Sequence, residues 1–380
     1  MGRDSLTSPD IVEQGRSGGD RGMKGEADKA SRAPSARRRA AVRAVSVSAV
    51  VVIVGVALAA FADRGHTRIV TAPQAPAVPA VPLDDVTLPV GTPPAILALS
   101  PDTGVVALLN SATGVPVRVL ATHPLARGLV LQGAALTPDG RNAYYSLVGG
   151  CGEGSVYRVR TDRRSTPHRI GSGISPAVSP DGHWLAFAAP GRLRPDGTPG
   201  CHNVVVVHDL RSGEEVRRIR FPDDEEHRSG FFADAAFTRL SWAPDSRRLA
   251  VTHSYEGDSV SVLDTVAARD LTETAEVVVP GGGGDSRHPA WQAATGRLAV
   301  VNSAFSCCYD DDYTGPPRTL AMDVENRTAV DLLPEGMVPT WLDFDPTGEH
   351  LLYADGGSLY RRSRGGEPAL VAPGFTIADW

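Results

Sequence analysis

The hexapeptide FTIADW, Phe375 to Trp380, nearly copies FTRLSW, Phe237 to Trp242. The internal copy opens a repeat, so residues 375–380 read as the first strand of a repeat whose continuation lies elsewhere. That continuation is at 94–120, PAILALSPDTGVVALLNSATGVPVRVL, which reads as three strands with no leading one. A chain whose two ends complete one unit closes into a ring.

The unit itself is strand, turn, strand. It recurs as LTPDGRNAYYSL from Leu136, VSPDGHWLAFAA from Val178, WAPDSRRLAVTH from Trp242, WQAATGRLAVVN from Trp291 and FDPTGEHLLYAD from Phe344. Proline presets φ at the first central turn position, while Asp, Ser and Gly supply the side-chain bond and the positive φ that follow. A third β-branched run comes after each hairpin (SVYRVR, NVVVVHDL, SVSVLD, TLAMDV, SLYRRS), then a fourth such as VRRIRF or TAVDLL. Four strands in about 40 to 50 residues is the period of a propeller blade, and residues 95–380 hold about six of them. No helical stripe of useful length follows residue 62. These units resemble TolB-type, WD-repeat-like propeller repeats over about three quarters of the chain. The expected fold is an all-β, six-bladed β-propeller closed by a C-terminal strand that completes the first blade.

The N-terminal quarter reads differently. Residues 1–43 carry ten basic and six acidic side chains, so a chain of net charge −6 concentrates its negative charge further on. An acidic globular region argues against nucleic acid as a partner. Lysine occurs only at Lys24 and Lys29 among 38 basic residues, a usage that points to a GC-rich bacterial genome of actinobacterial type. With few large apolar groups, 1–43 cannot bury a core and is expected to be a disordered cytoplasmic tail.

Residues 44–62, AVSVSAVVVIVGVALAAFA, are nineteen without a charge. As a helix they span about 28 Å, close to the hydrocarbon thickness of a bilayer. Arg37, Arg38, Arg39 and Arg43 precede this run and only Arg64 and Arg68 follow closely, a bias that keeps the N-terminus cytoplasmic. The expectation is one transmembrane signal anchor with the propeller outside the cytoplasm. The alternative is a cleaved signal peptide, since Ala60-Phe61-Ala62 fits a small-x-small site and translation starting at Met23 would shorten what precedes it. In the linker 63–94, Pro73, Pro76, Pro79 and Pro82 recur at every third residue, the spacing of a polyproline II stalk.

Cys151, Cys201, Cys307 and Cys308 all lie in the exported part, where disulfides are favoured over reduced thiols, and the C-x-x-C spacing of a zinc site is absent. Cys151 and Cys307 each fall thirteen positions after the second residue of a hairpin turn, Pro138 and Ala294, and Cys201 occupies the equivalent loop of its own blade. All four therefore belong on one rim, between second and third strands. The expected pairing, one of three, is Cys151 with Cys201 and Cys307 with Cys308.

Loop length separates the two faces. First-to-second and third-to-fourth turns share one face and are short; the other face collects 189–202, 222–236, 280–289 and 303–317, the kind of length that carries binding in repeat proteins. Its polar residues are the candidate contacts: His202, then Asp223, Asp224, Glu225, Glu226 and His227, then Asp310, Asp311, Asp312 and Tyr313. Acidic runs in loops are usually just solvated, although clustered carboxylates also make an oxygen set for Ca²⁺. Gly281 to Gly284 lacks the Lys-Ser/Thr and helix of a phosphate loop and reads as a flexible crossover. Asp102, Asp139, Asp181 and Asp245 are turn residues, and Trp242, Trp291 and Trp341 are expected to pack between blades.

No G-x-S-x-G elbow, sialidase aspartate box or C-x-x-C-H haem site is present. The reading is a non-catalytic extracytoplasmic binding or scaffold propeller, with an envelope protein or polymer as partner and no cofactor beyond Ca²⁺ on the carboxylate loops. The alternative is a metal-dependent, lactonase-like hydrolase working in the central channel. The TolB resemblance implies an envelope role by analogy, and the separate N-terminal α/β domain of that family has no counterpart here.

Overall fold

The first hairpin turn of each repeat is built by its own side chains. In the second blade Gly140 N–H donates to the Thr137 carbonyl at 2.7 Å, and Asp139 Oδ1 accepts from both Thr137 Oγ1 (2.6 Å) and the Arg141 N–H (3.0 Å). Gly140 takes φ +67°, a left-handed conformation that costs glycine little. The arrangement recurs at 179–182 and 345–348, with Asp181 and Asp345 as the accepting side chains. Asp245 likewise accepts from the N–H groups of Arg247 and Arg248, each at 2.9 Å, although there Ser246 holds the positive φ, 55°.

The computed structural model describes residues 95–125, 128–191, 200–221, 236–254, 257–280, 285–303 and 316–380. They form six antiparallel four-stranded sheets. The first joins β1 (Ile96–Ser100), β2 (Val105–Leu109) and β3 (Pro116–Thr122) to the last strand of the chain. The second holds β4 (Val130–Leu136), β5 (Asn142–Val148), β6 (Gly154–Arg160) and β7 (His168–Gly171); the third, β8 (Ile174–Val178), β9 (Trp184–Ala189), β10 (Val204–Asp209) and β11 (Glu215–Ile219). The fourth comprises β12 (Ala236–Trp242), β13 (Arg248–Ser254), β14 (Asp258–Asp264) and β15 (Ala275–Glu276). The fifth comprises β16 (Ser286–Gln292), β17 (Arg297–Asn302), β18 (Arg318–Asp323) and β19 (Thr328–Asp331). The sixth has β20 (Trp341–Phe344), β21 (His350–Asp355), β22 (Ser358–Ser363) and β23 (Ala369–Pro373), and β24 (Ile377–Asp379) returns to the first.

The closure expected from FTIADW is present. β24 pairs with β1 through Leu97 with Asp379, Ala98 with Ala378 and Leu99 with Ile377. It then packs against β4 on one side and β20 on the other, so the six first strands form an uninterrupted inner circle. The core lies between neighbouring sheets. Leu97 and Val106 of the first blade meet Leu131 and Tyr145 of the second, and Ala290, Ala299 and Val301 of the fifth meet Leu342 and Tyr353 of the sixth. β15 is the shortest strand because the segment before it is taken up by a 3-10 turn at Leu271–Glu273, capped by Asp270, whose side chain accepts from Thr272 N–H.

Cys151, in the β5–β6 loop, is bonded to Cys201, in the β9–β10 loop, with Cα atoms 4.6 Å apart, which ties the second blade to the third as the register implied. Cys307 and Cys308 lie outside the described residues. So do the tail, the apolar run 44–62 and the proline ladder. Among the described residues no helix is long and apolar enough to cross a membrane.

Candidate functional site

Six inner strands set the chemistry of the channel they enclose. Leu136, Val178, Trp242, Trp291 and Phe344 each pair with the residue seven positions on, so they are equivalent positions of five blades, and Trp380 is their counterpart in the first. One residue earlier, four blades carry Ala135, Ala177, Ser241 and Ala290, small side chains that leave space. The sixth and first blades instead carry Asp343 and Asp379. Adjacent blades thus bring these two carboxyl groups face to face. Two residues before that layer, Arg239, His288 and Trp341 are equivalent in the fourth, fifth and sixth blades.

A cavity of about 380 Å³ occupies this end of the channel, walled by the four tryptophans Trp242, Trp291, Trp341 and Trp380 and rimmed by the turn prolines Pro138, Pro180, Pro244 and Pro346. The turn prolines place it among the short turns. Ala95 leads into the ring at this same end, beside the end of β24.

Arg239 crosses the channel from the fourth blade to the sixth. Its Nη2 donates to the Leu342 carbonyl at 2.7 Å, Nε reaches the Pro289 carbonyl at 3.4 Å, and the guanidinium carbon sits 3.2 Å from the centre of the Trp341 ring. Asp343 Oδ2 is 3.9 Å from Nη2. Burial pulls the guanidinium down to about 10, with Asp343 and Asp379 pulling the other way, so it remains a cation at neutral pH. Asp379 moves in the opposite sense. Burial, the charge of Asp343 and a hydrogen bond between the two carboxyl groups hold it well above the usual carboxylate range. Asp379 is thus disposed to keep a proton to a higher pH than an ordinary carboxylate, while Arg239 stands within ionic reach of Asp343. His288, in the left-handed region at φ 53°, is held to about 3 by burial first and by Arg239 and Arg287 second, so it stays neutral.

Three donors of this wall stand without a partner although Asp343 and Asp379 share the cavity. Arg239 Nη1, Trp291 Nε1 and Trp380 Nε1 are buried N–H groups with no hydrogen-bond partner among the described residues, and all three residues line the cavity. Guanidinium and indole N–H groups only donate, and a buried donor left unpaired costs about 1–3 kcal/mol. The other two indoles are satisfied, Trp341 Nε1 by the Ala378 carbonyl at 2.8 Å and Trp242 Nε1 by the Ala177 carbonyl at 3.0 Å.

The candidates from loop length fare differently. Asp223, Asp224, Glu225, Glu226, His227, Asp310, Asp311, Asp312 and Tyr313 lie outside the described residues. His202 sits beneath the rim, 2% exposed, with Nε2 unpartnered and the ring held neutral at about 4 by burial; its carbonyl accepts from Phe237 N–H at 2.7 Å. A Cβ on Gly154 of the second blade would lie 2.9 Å from its Nε2, so the ring packs against the second blade while its backbone binds the fourth. The tryptophans pack between blades as expected, but they also wall the cavity. Reasoning from loops passed over Arg239, Asp343 and Asp379, whose signal was charged residues inside otherwise apolar first strands.

No protein-family model and no curated protein sequence matches the chain. Solved structures do. The crystal structure of TolB from Acinetobacter baumannii is 16% identical with a TM-score of 0.50, over 75% of this chain and 64% of that one. A putative TolB from Agrobacterium tumefaciens is 14% identical with a TM-score of 0.46, over 73% of this chain and 87% of that one. Hydrazine synthase from Kuenenia stuttgartiensis is 16% identical with a TM-score of 0.44, over 73% and 79%. The chain thus spans less than two thirds of the A. baumannii TolB. The fold is a TolB-like six-bladed β-propeller, and at such identity the likeness extends to the fold alone.

Proposed function

We propose that the chain is a non-catalytic binding propeller, held outside the cytoplasm by residues 44–62, whose channel cavity, with three unpaired donors in its wall, seats an acceptor-bearing part of an envelope protein or polymer. The observation that carries this reading is the set of three unpartnered donors, Arg239 Nη1, Trp291 Nε1 and Trp380 Nε1, around one cavity of about 380 Å³. Carbonyl or carboxylate oxygens would complete them. Because Arg239 already has Asp343 within ionic reach, recognition rests on hydrogen bonding and indole surface rather than on net charge. The acidic runs 223–226 and 310–312, which lie outside the described residues, are proposed as a second, polar and salt-sensitive contact.

Tryptophan emission tests the seat directly, since four of the five tryptophans wall it. Titration of the propeller with acetate, succinate and short acetylated peptides should give saturable emission changes that Arg239→Met abolishes. Emission unchanged across that panel would count against the channel as a seat. Turnover of a lactone by the purified protein would replace the reading with that of a hydrolase. For topology, a reporter enzyme active only outside the cytoplasm, fused after Trp380, should be active, and the protein should stay in the membrane fraction after a high-salt wash. A soluble form beginning at Asp63 would replace the anchor with a cleaved signal.

A further inference from the structure

Away from the channel, the short-turn end of the first two blades concentrates positive charge. Arg118 on β3, Arg141 in the β4–β5 turn, Arg158 and Arg160 on β6 and Arg163 and Arg164 in the β6–β7 turn stand there, with Asp139 and Asp162 as the acidic side chains. Six cations against two anions is a local excess in a chain whose net charge is −6. The same end of the fifth blade, opposite in the ring, sets Arg297 and Arg327 against Asp323 and Glu325 and is balanced.

Both aspartates are already engaged. Asp139 accepts from Thr137 Oγ1 and the Arg141 N–H within its own turn, and Asp162 binds Arg160, whose Nε lies 3.0 Å from Oδ1. Arg118 Nη1 donates across the blade boundary to the Thr161 carbonyl at 2.6 Å, which sets the first blade's cation beside those of the second. Arg141, Arg163 and Arg164 are exposed and form no ion pair among the described residues. Val115, 45% exposed in the β2–β3 turn, adds an apolar side chain at the same end.

Position says what such a patch meets. Ala95 enters the ring at this end, so the linker 63–94 leaves toward the apolar run 44–62 from the face that carries the arginines. A tether keeps the propeller at high effective concentration beside its bilayer, where a contact too weak to hold a free protein is enough.

We propose that this arginine patch docks the propeller on the bilayer by binding the phosphate groups of anionic lipids, an inference that rests on the reading of 44–62 as an anchor. Guanidinium groups match phosphate oxygens bidentately and are weakly hydrated, so they exchange water for headgroups readily. Val115 enters the interface beside them. Each arginine near an anionic surface shifts the docking equilibrium about fivefold. Because the patch occupies one sector of the rim, the ring docks tilted, and the channel cavity stays open on the side of the fourth and fifth blades.

Energy transfer from tryptophan to dansyl-labelled lipid, measured on the full chain in vesicles, tests this. Transfer should be high in phosphatidylglycerol-rich vesicles at about 0.1 M salt, fall at about 1 M, and stay low in pure phosphatidylcholine. Arg141→Gln, Arg163→Gln and Arg164→Gln together should weaken docking about a hundredfold and bring transfer down to the phosphatidylcholine level, whereas Arg327→Gln on the opposite blade should leave it high. Equal transfer in the two vesicle types overturns the proposal, and so does transfer that the triple variant retains. Loss of transfer on adding inorganic phosphate at constant ionic strength also overturns it, by making the patch a site for free anions. Should the triple variant fail to fold, the salt and lipid arms on the wild type still decide. Flotation after a high-salt wash reports the anchor separately. A chain washed off both vesicle types has no anchor, and docking then requires flotation at low salt with the anionic vesicles alone; no flotation with them overturns it.

Discussion

The backbone N–H of Leu136 donates to Oδ2 of Asp379 at 2.5 Å, across 243 residues of sequence. The bond joins the closing strand to the next blade round the ring, at the edge of the channel cavity. Truncation after Gly374 removes it together with the whole of β24, exposing β1 and opening the inner circle. The shortened propeller should show no cooperative melt by circular dichroism. A truncated form that melts at the wild-type temperature would contradict closure by residues 375–380.

The same carboxyl predicts a pH dependence. Asp379 is raised well above the ordinary value, so between about 3.9, where the unfolded side chain ionises, and its folded value the native state keeps a proton that the unfolded chain has lost. This contribution is complete below about pH 3.9 and declines as pH rises toward the folded value. Asp379→Asn imitates the protonated acid, keeps an acceptor for Leu136 and removes the titration. Its urea midpoint should rise relative to wild type as pH goes from about 4 to about 8. A difference that stays constant over that range would contradict the raised Asp379 carboxyl.

Histidines pull the opposite way. Burial holds His202 and His253 neutral down to about 4 and, with help from Arg239 and Arg287, His288 down to about 3. Unfolded histidine charges at about 6.5, so stability is intact above that pH and is lost as pH falls from there through the folded values. His253, whose ring lies 4.8 Å from that of Phe237, is the cleanest to replace. His253→Leu should reduce the loss of urea midpoint between about pH 6.5 and pH 4, and a loss equal to that of the wild type would contradict a neutral buried ring.

Reduction of Cys151–Cys201 frees a loop with a sequence separation of 50. The expected cost is about 2–4 kcal/mol, read as a lower denaturant midpoint for Cys201→Ser or for the reduced protein. Peptide mapping without reductant should recover the linked pair. A link from Cys151 to Cys307 or Cys308 would refute the assignment.

The blades were legible because their information is local. A turn such as Thr137–Gly140 contains its own proline, its own accepting aspartate and its own glycine, and β-branched alternation marks the strands beside it. Closure was legible too, because FTIADW is a near copy of a strand already inside the chain. The channel was not. Asp343 and Asp379 belong to adjacent blades only after the ring has joined the two ends, and each alone resembles one more polar residue beside a turn. Arg239 passes over the fifth blade to reach Leu342, a contact with no trace in spacing. Loop length directed attention to the far rim, whose acidic runs lie outside the described residues.

Residues 377–379 are the last strand to be synthesised, yet β1, among the first of the ring, cannot complete its sheet without them. Sheets two to six hold all four strands in sequence order and can assemble as they emerge, whereas the first must wait with one edge uncovered. The ring therefore closes only when residues 377–379 reach β1, however far the other five sheets have assembled.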